Sequence, residues 1–213
     1  MRIPESTDSF FREQRRDSSS AGPVAIVLTL SLLLLIRTLM INLAVAETMG
    51  PSRTLRYFFG PAAFVVYVHN IVFPFVVWGC YSVAFYILSI PFGGSGTLRE
   101  TFVLAGWGFF PRIVTSLLDT GFLLVVIDQV PEPSFSTLPF EYLIQIQYHP
   151  LLSFPIAVSV ILTVWAFPEL IWTYAVKHSR NLTTREALIV VSIPVAISLL
   201  LNIEEFLSLL DTL

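Results

Sequence analysis

Residues 21–46 read AGPVAIVLTLSLLLLIRTLMINLAVA, an apolar run broken by one charge, Arg37. A bilayer core about 30 Å thick is crossed by about 20 mostly apolar helical residues, so this run is long enough to span. In hydrocarbon every backbone N–H and C=O needs an internal partner, and a helix supplies one within the segment. Reading outward, four more segments meet or approach the same standard. They lie within Ala62–Ile90 (clearest over Ile71–Ile90), over Thr101–Ile127, over Leu151–Val176, and in a shorter run from near Ala187 to Leu201. No stretch alternates with period two over ten residues, as the strands of an outer-membrane barrel do. The expected fold is all-α, an integral membrane bundle of five transmembrane helices. Residues 21–213 form that single domain, behind an N-terminal tail of residues 1–20.

Composition agrees. Hydrophobic residues make up 55% of the chain, charged ones 13%, and the mean hydropathy is +0.77. Soluble domains carry about 25% charged residues because a hydrated surface needs them. A soluble enzyme, a disordered chain and a secreted disulfide scaffold are therefore poorly supported. The net charge of −3 gives no nucleic-acid footprint. Cys80 is the single cysteine, which rules out an intrachain disulfide. Arginine outnumbers lysine eleven to one, a bias that fits a GC-rich genome or a salt-loving organism. Ala44-Val45-Ala46 resembles a signal-peptidase site, but the preceding apolar run exceeds a 7–15-residue signal core and follows a polar tail. The first segment is expected to stay as an uncleaved span.

Basic residues in the short flanks set orientation. Arg2, Arg12, Arg15 and Arg16 in the tail, Arg99 after the second span, and Lys177, Arg180 and Arg185 after the fourth all fall on one side. The other side has Arg53 and Arg56, and the loop Asp128–Pro150 has no basic residue. Eight against two places the N-terminus in the cytoplasm. Five spans then put the acidic C-terminal end (Glu204, Glu205, Asp211) outside. Thr97…Glu100 and Thr183…Glu186 both read T-x-x-E before an apolar run, the capping-box signature of a helix start. Short interfacial helices are expected at Asp8–Arg16 and Arg56–Tyr67. Tyr57, Trp172 and Tyr174, near span ends, read as interfacial anchors. Small residues four apart (Cys80…Ala84, Ser153…Ala157, Ser192…Ala196) suit close helix packing.

With this order of elements, the sequence resembles the Yip family (Ypt-interacting proteins) in its prokaryotic, archaeal-style form. Three stretches carry the likeness. One is Asp8-Ser9-Phe10-Phe11-Arg12-Glu13, an amphipathic lead-in to the first span. The second runs from Gly93-Gly94-Ser95-Gly96-Thr97-Leu98-Arg99 through Gly106-Trp107-Gly108 to Pro111. The third is Trp172–Pro194, with Arg185-Glu186-Ala187 opening the last span. The resemblance implies five spans, a cytoplasmic N-terminus, no catalytic residue, and a role in membrane organisation through protein partners. Eukaryotic relatives bind small GTPases through a cytoplasmic N-terminal region, which here is about 20 residues.

Candidate sites are few. The glycines Gly93, Gly94 and Gly96 lack the lysine of a Walker loop and the strand of a dinucleotide fold, so they read as a tight cytoplasmic turn. Lipid headgroup binding at the exposed amides of the next helix is the sharper alternative. Ionisable residues inside spans are costly and often functional. Four qualify: Arg37, Arg112, Asp119 and Glu169. At 1.5 Å per residue, Arg112 lies roughly 16 Å from the cytoplasmic face and Glu169 roughly 10 Å, within reach of a long guanidinium. Arg37 at roughly 22–24 Å and Asp119 at about 27 Å make a second pair. Such pairs fix helix register, or they line a polar path for a proton, ion or headgroup. His69, His149 and His178 show no metal-ligand spacing, and no nucleophile–base arrangement is present. No catalytic residue, metal or cofactor is expected. The expected partners are membrane lipids and other membrane or cytoplasmic proteins, a second copy of the chain included, in the cell membrane. A small transporter or lipid-handling protein using the buried charges on the third and fourth helices, the Arg112–Glu169 neighbourhood, is the alternative.

Overall fold

The computed structural model describes residues 5–17, 19–46, 58–130, 144–146, 149–162 and 171–201. Its ordered elements are helices: α1 (Glu5–Asp17), α2 (Ala21–Ala46), α3 (Pro61–Ser89), α4 (Leu98–Gly106), α5 (Phe110–Gln129), α6 (Ser153–Ile161), α7 (Thr173–Arg180) and α8 (Thr184–Leu201). Short 3₁₀ turns at Ile90–Phe92, Trp107–Phe109 and Pro150–Leu152 link or precede them. Four stretches are long and apolar enough to cross a membrane: Ala21–Ala46, Pro61–Phe92, Leu98–Gln129 and Thr184–Leu201. The segment expected as the fourth of five spans appears as α6 and α7, and residues 163–170 between them lie outside the described set. Pro150–Ser159 is a shorter apolar helix, which leaves a fifth crossing open. The fold is an all-α, multi-pass membrane bundle.

Helix boundaries follow local chemistry. Pro61 opens α3 behind an extended Gly60, in the first turn where its missing N–H costs nothing. From there the helix runs without a break, so Pro61–Tyr67 are the first turns of a long helix. Of the interfacial helix expected over Arg56–Tyr67, Pro61–Tyr67 belong to this long helix, Phe58 and Phe59 are helical ahead of the bend at Gly60, and Arg56 and Tyr57 lie outside the described residues. Pro111 removes a backbone donor, and the span containing it breaks into α4, the turn Trp107–Phe109, and α5. Asn181, with φ 55° and ψ 40°, ends α7 in the left-handed conformation that asparagine tolerates.

The break in the third span organises the core. Where the helix opens, the Ala105 carbonyl accepts the Trp172 indole N–H at 2.8 Å, and the Phe102 carbonyl accepts that of Trp78 at 2.8 Å. Both indoles are 1% exposed. Around them pack Ile26, Val27, Leu30, Tyr81, Phe85, Phe109, Val190 and Val191. Trp172 and Tyr174 are therefore core residues and not interfacial anchors, since both point into the bundle. Close approach here relies on glycine. A Cβ on Gly106 would come within 2.6 Å of Pro23, and one on Gly108 would overlap the Trp172 ring. The small-residue pairs read from sequence do not do this work. Cys80, Ser192 and Ala196 are exposed, and Ser153 lies outside the described side chains. A wide apolar surface, including Leu28, Leu32, Val72, Val76, Leu117 and Ile193, faces outward where lipid tails replace water.

Candidate functional site

Three sequence-remote segments converge at one end of the bundle: α1, the glycine-rich turn after α3, and the turn between α7 and α8. Arg180 holds the last two together. It is 2% exposed, and its guanidinium donates to the Ser89 hydroxyl (2.7 Å), the Gly94 carbonyl (2.8 Å) and the Gly96 carbonyl. Its ring-facing side lies 4.2 Å from the Tyr86 centroid, a cation–π contact. The Ser95 N–H returns a bond to the Arg180 carbonyl at 2.9 Å, and Asn181 Nδ2 donates to the Ser95 hydroxyl at 2.8 Å. Satisfying so many donors of one buried cation is what makes its burial tolerable.

The glycines are explained by this clasp. Gly93 has φ 77°, which a side chain would strain. A Cβ on Gly94 would meet the Ser89 carbonyl at 2.9 Å, and one on Gly96 would overlap the Ser179 carbonyl. The Gly93 and Gly94 amides bond back to the Ile90 and Ser89 carbonyls, the Ser95 amide and the Gly94 and Gly96 carbonyls face the protein's own α7, and the turn works as a receptacle for Arg180. Immediately after it, Thr97 and Glu100 form a reciprocal capping box at 3.1 Å each way. Thr183 and Glu186 do the same at the start of α8 (2.8 and 3.3 Å).

α1 docks against this end. Asp8 accepts from Lys177 Nζ and lies 2.9 Å from His178 Nε2. The Lys177 bond, with His178 beside it, holds the Asp8 carboxyl down at about 2, while burial pushes the His178 imidazole below its usual range. Arg15 donates to the Asn181 side chain and stands 3.9 Å from Glu100. Phe11, 2% exposed, enters a slot of Leu104, Tyr174 and Ala175, and Phe10 meets Trp107 edge-on with centroids 5.1 Å apart.

Deeper in the bundle the structure brings Arg37 of α2 and Asp119 of α5 into an ion pair, their side chains 32% and 27% exposed. Polar bonds flank it: Asn70 to Thr38 at 2.7 Å and Asn42 to Tyr67 at 3.0 Å, both joining α2 to α3. Arg112 lies on α5 toward the polar end, half-buried, with an electrostatic contact to Tyr81. Its expected partner Glu169 lies outside the described residues, so that pair has no observed geometry. Among the described residues no cluster of His, Cys, Asp and Glu is placed to hold a metal ion.

The Yip1 domain matches residues 1–203, a stretch that takes in every element above. The chain belongs to the Yip1 domain family. No curated protein and no solved structure matches it. In this Yip1 domain the sequence motifs carrying the likeness prove to be contact surfaces. Phe10 and Phe11 seat α1, the glycine-rich turn encloses Arg180, and Gly106-Trp107-Gly108 receives Pro23, Trp78 and Trp172. Sequence reasoning missed Arg180 as a core residue. It counts only as one basic residue of a short loop, and its acceptors lie more than 80 positions away. The signal available was indirect: a glycine-rich turn with no phosphate-binding motif needs some other occupant.

Proposed function

We propose that this Yip1-family membrane protein is a non-enzymatic, membrane-organising and partner-binding protein. The convergence of α1 with the glycine-rich turn and the Asn181 turn supports this reading above all else. Together they form one polar face at the bundle end, with Ser9, Arg12, Glu13, Arg16 and Arg99 exposed for contact. On the basic-residue asymmetry, that face is cytoplasmic, and the cell membrane is the proposed location. The lipid contact of the apolar helices is general; the protein partner supplies the specificity.

In-cell crosslinking, mild-detergent purification and mass spectrometry test the reading on the full chain. The expected result is a stoichiometric protein partner that is lost from the Arg16→Glu/Arg99→Glu variant, whose changes lie on the exposed polar face and away from the Asp8 contacts. A lone protein carrying one defined lipid or small molecule overturns it.

The ion pair Arg37–Asp119 favours a second reading, a transporter or lipid-handling protein with a polar route between α2 and α5. In that case neutralising both residues abolishes transport of the retained molecule while the protein still folds.

A further inference from the structure

The helix α1 is attached differently from the rest of the bundle. Phe11 is its one buried side chain among those described. Its polar contacts are partly open to water: the side chains of Arg12, Asp8 and Lys177 remain 64%, 23% and 26% exposed, and that of His178 12%. Ion pairs in such settings are weak and are screened by salt. Only residues 18–20 separate α1 from α2, and Ser19 and Ser20 are exposed. In the closed arrangement the Trp107 indole N–H, beside Phe10, is buried and finds no acceptor among the described residues. An orphaned buried donor penalises the state that buries it, here the closed one in which Phe10 of α1 and Gly22 of α2 both lie against the ring.

Under α1 lies a surface suited to a helix. Leu104 of α4 and Tyr174 and Ala175 of α7 form an apolar floor, partly walled by Trp107 and Ile171. Lys177 and His178 stand at its edge with donors aimed at a carboxylate. Asp8 and Phe11, three residues apart on one helix face, satisfy both features at once. We propose that α1 is a detachable latch over this slot, and that the slot's external occupant is a partner's amphipathic helix bearing a carboxylate and a phenyl ring three residues apart. Such a helix competes with α1 for the same contacts. Its arrival frees α1, whose departure exposes the Trp107 region to water. This proposal rests on the partner-binding reading above, since it names the chemistry of the partner.

The probe is a fluorescein-labelled synthetic peptide of residues 1–20, titrated against the full-length protein in lipid nanodiscs. A closed latch reduces apparent affinity by the fraction of molecules that are open, so the Asp8→Asn/Phe11→Ser protein is expected to bind the peptide about tenfold or more tightly than wild type. The peptide carrying the same two substitutions should not bind. Absence of binding by a variant with wild-type helix content and elution volume overturns the proposal, as does equal binding of the substituted peptide. Hydrogen exchange on the unmodified protein is independent of any folding defect. Amides of α1 should exchange about a hundredfold or more faster than those of α7. Equal protection of the two helices overturns the latch. Failure to capture a partner in cells bears on the function alone, because peptide binding and exchange report the slot directly.

Discussion

The guanidinium of Arg180, at the last turn of α7, donates to the backbone carbonyl of Gly96, 84 positions earlier in the chain. One buried side chain thereby ties the end of α3 and the start of α4 to the turn that launches α8. The bond works because position 96 has no side chain to hold the two backbones apart.

Replacing Arg180 by alanine should be among the most damaging single changes in the chain. The Gly94 and Gly96 carbonyls would lose their donor, at about 1–3 kcal/mol for each group left buried and unpaired. Arg180→Lys should rescue only part of this, because an ammonium lacks the planar fork that reaches both carbonyls and the Ser89 hydroxyl. Thermal unfolding in detergent measures both; a lysine variant as stable as wild type would show that charge alone matters.

Two glycines make a paired test. Gly96→Ala places a methyl against the Ser179 carbonyl and should destabilise the protein clearly. A methyl on Gly121, in α5, would meet nothing within 4 Å. Gly121→Ala should therefore be neutral or raise stability by about 0.5–1 kcal/mol, through helix propensity. Equal unfolding temperatures for the two alanine variants would contradict the clasp.

Neutralising one member of the Arg37–Asp119 pair leaves a lone charge within a span, at a cost below the figure of about 2.5–3.5 kcal/mol for the bilayer centre because the pair lies past the midplane. Arg37→Gln and Asp119→Asn should each lower stability, and the double variant should recover most of the loss. Additive losses in the double variant would mean that the two side chains are not coupled in the membrane.

Acidification should act on this end of the bundle in two stages, the lower of them loosening α1. Burial holds His178 below its ordinary 6.5 against the raising pull of Asp8, so its contribution to the folded packing here is complete above that pH and declines as pH falls below it. Asp8, held at about 2 against an ordinary 3.8, contributes fully above 3.8 and loses that contribution between 3.8 and about 2. Fluorescence of a probe placed at Ser9, which is exposed on α1, follows the change. His178→Gln should remove the upper stage alone, and an unchanged upper stage in that variant would assign it to another group.

Much of the local chemistry is legible in the sequence because it depends on neighbours in the chain. Apolar run length marks the membrane helices, T-x-x-E marks two helix starts, and the amphipathic pattern of Asp8–Arg16 marks a helix that the structure extends to Glu5–Asp17. Pro111 sits at the break in the third span, whereas Pro74 and Pro194 lie inside unbroken helices. What could not be read depends on which faces meet. Trp172 and Tyr174 look like interfacial anchors by position and composition, but the opened turn at Gly106-Trp107-Gly108 draws the Trp172 indole to the Ala105 carbonyl. Cys80 and Ser192 have the spacing of packing residues and lie on exposed faces.

The order of residues is enough to establish a helical membrane protein, because every backbone amide in a bilayer needs a protein partner and long apolar runs without period-two alternation supply one as helices. It is also enough to place the start or the break of several helices. Three-dimensional packing was needed to reveal that Arg180 fills the glycine-rich turn, that Phe11 and Asp8 dock α1 on α7, and that Arg37 meets Asp119. Each of these joins residues more than 80 positions apart, where geometry alone selects the partner from several of the same chemical type.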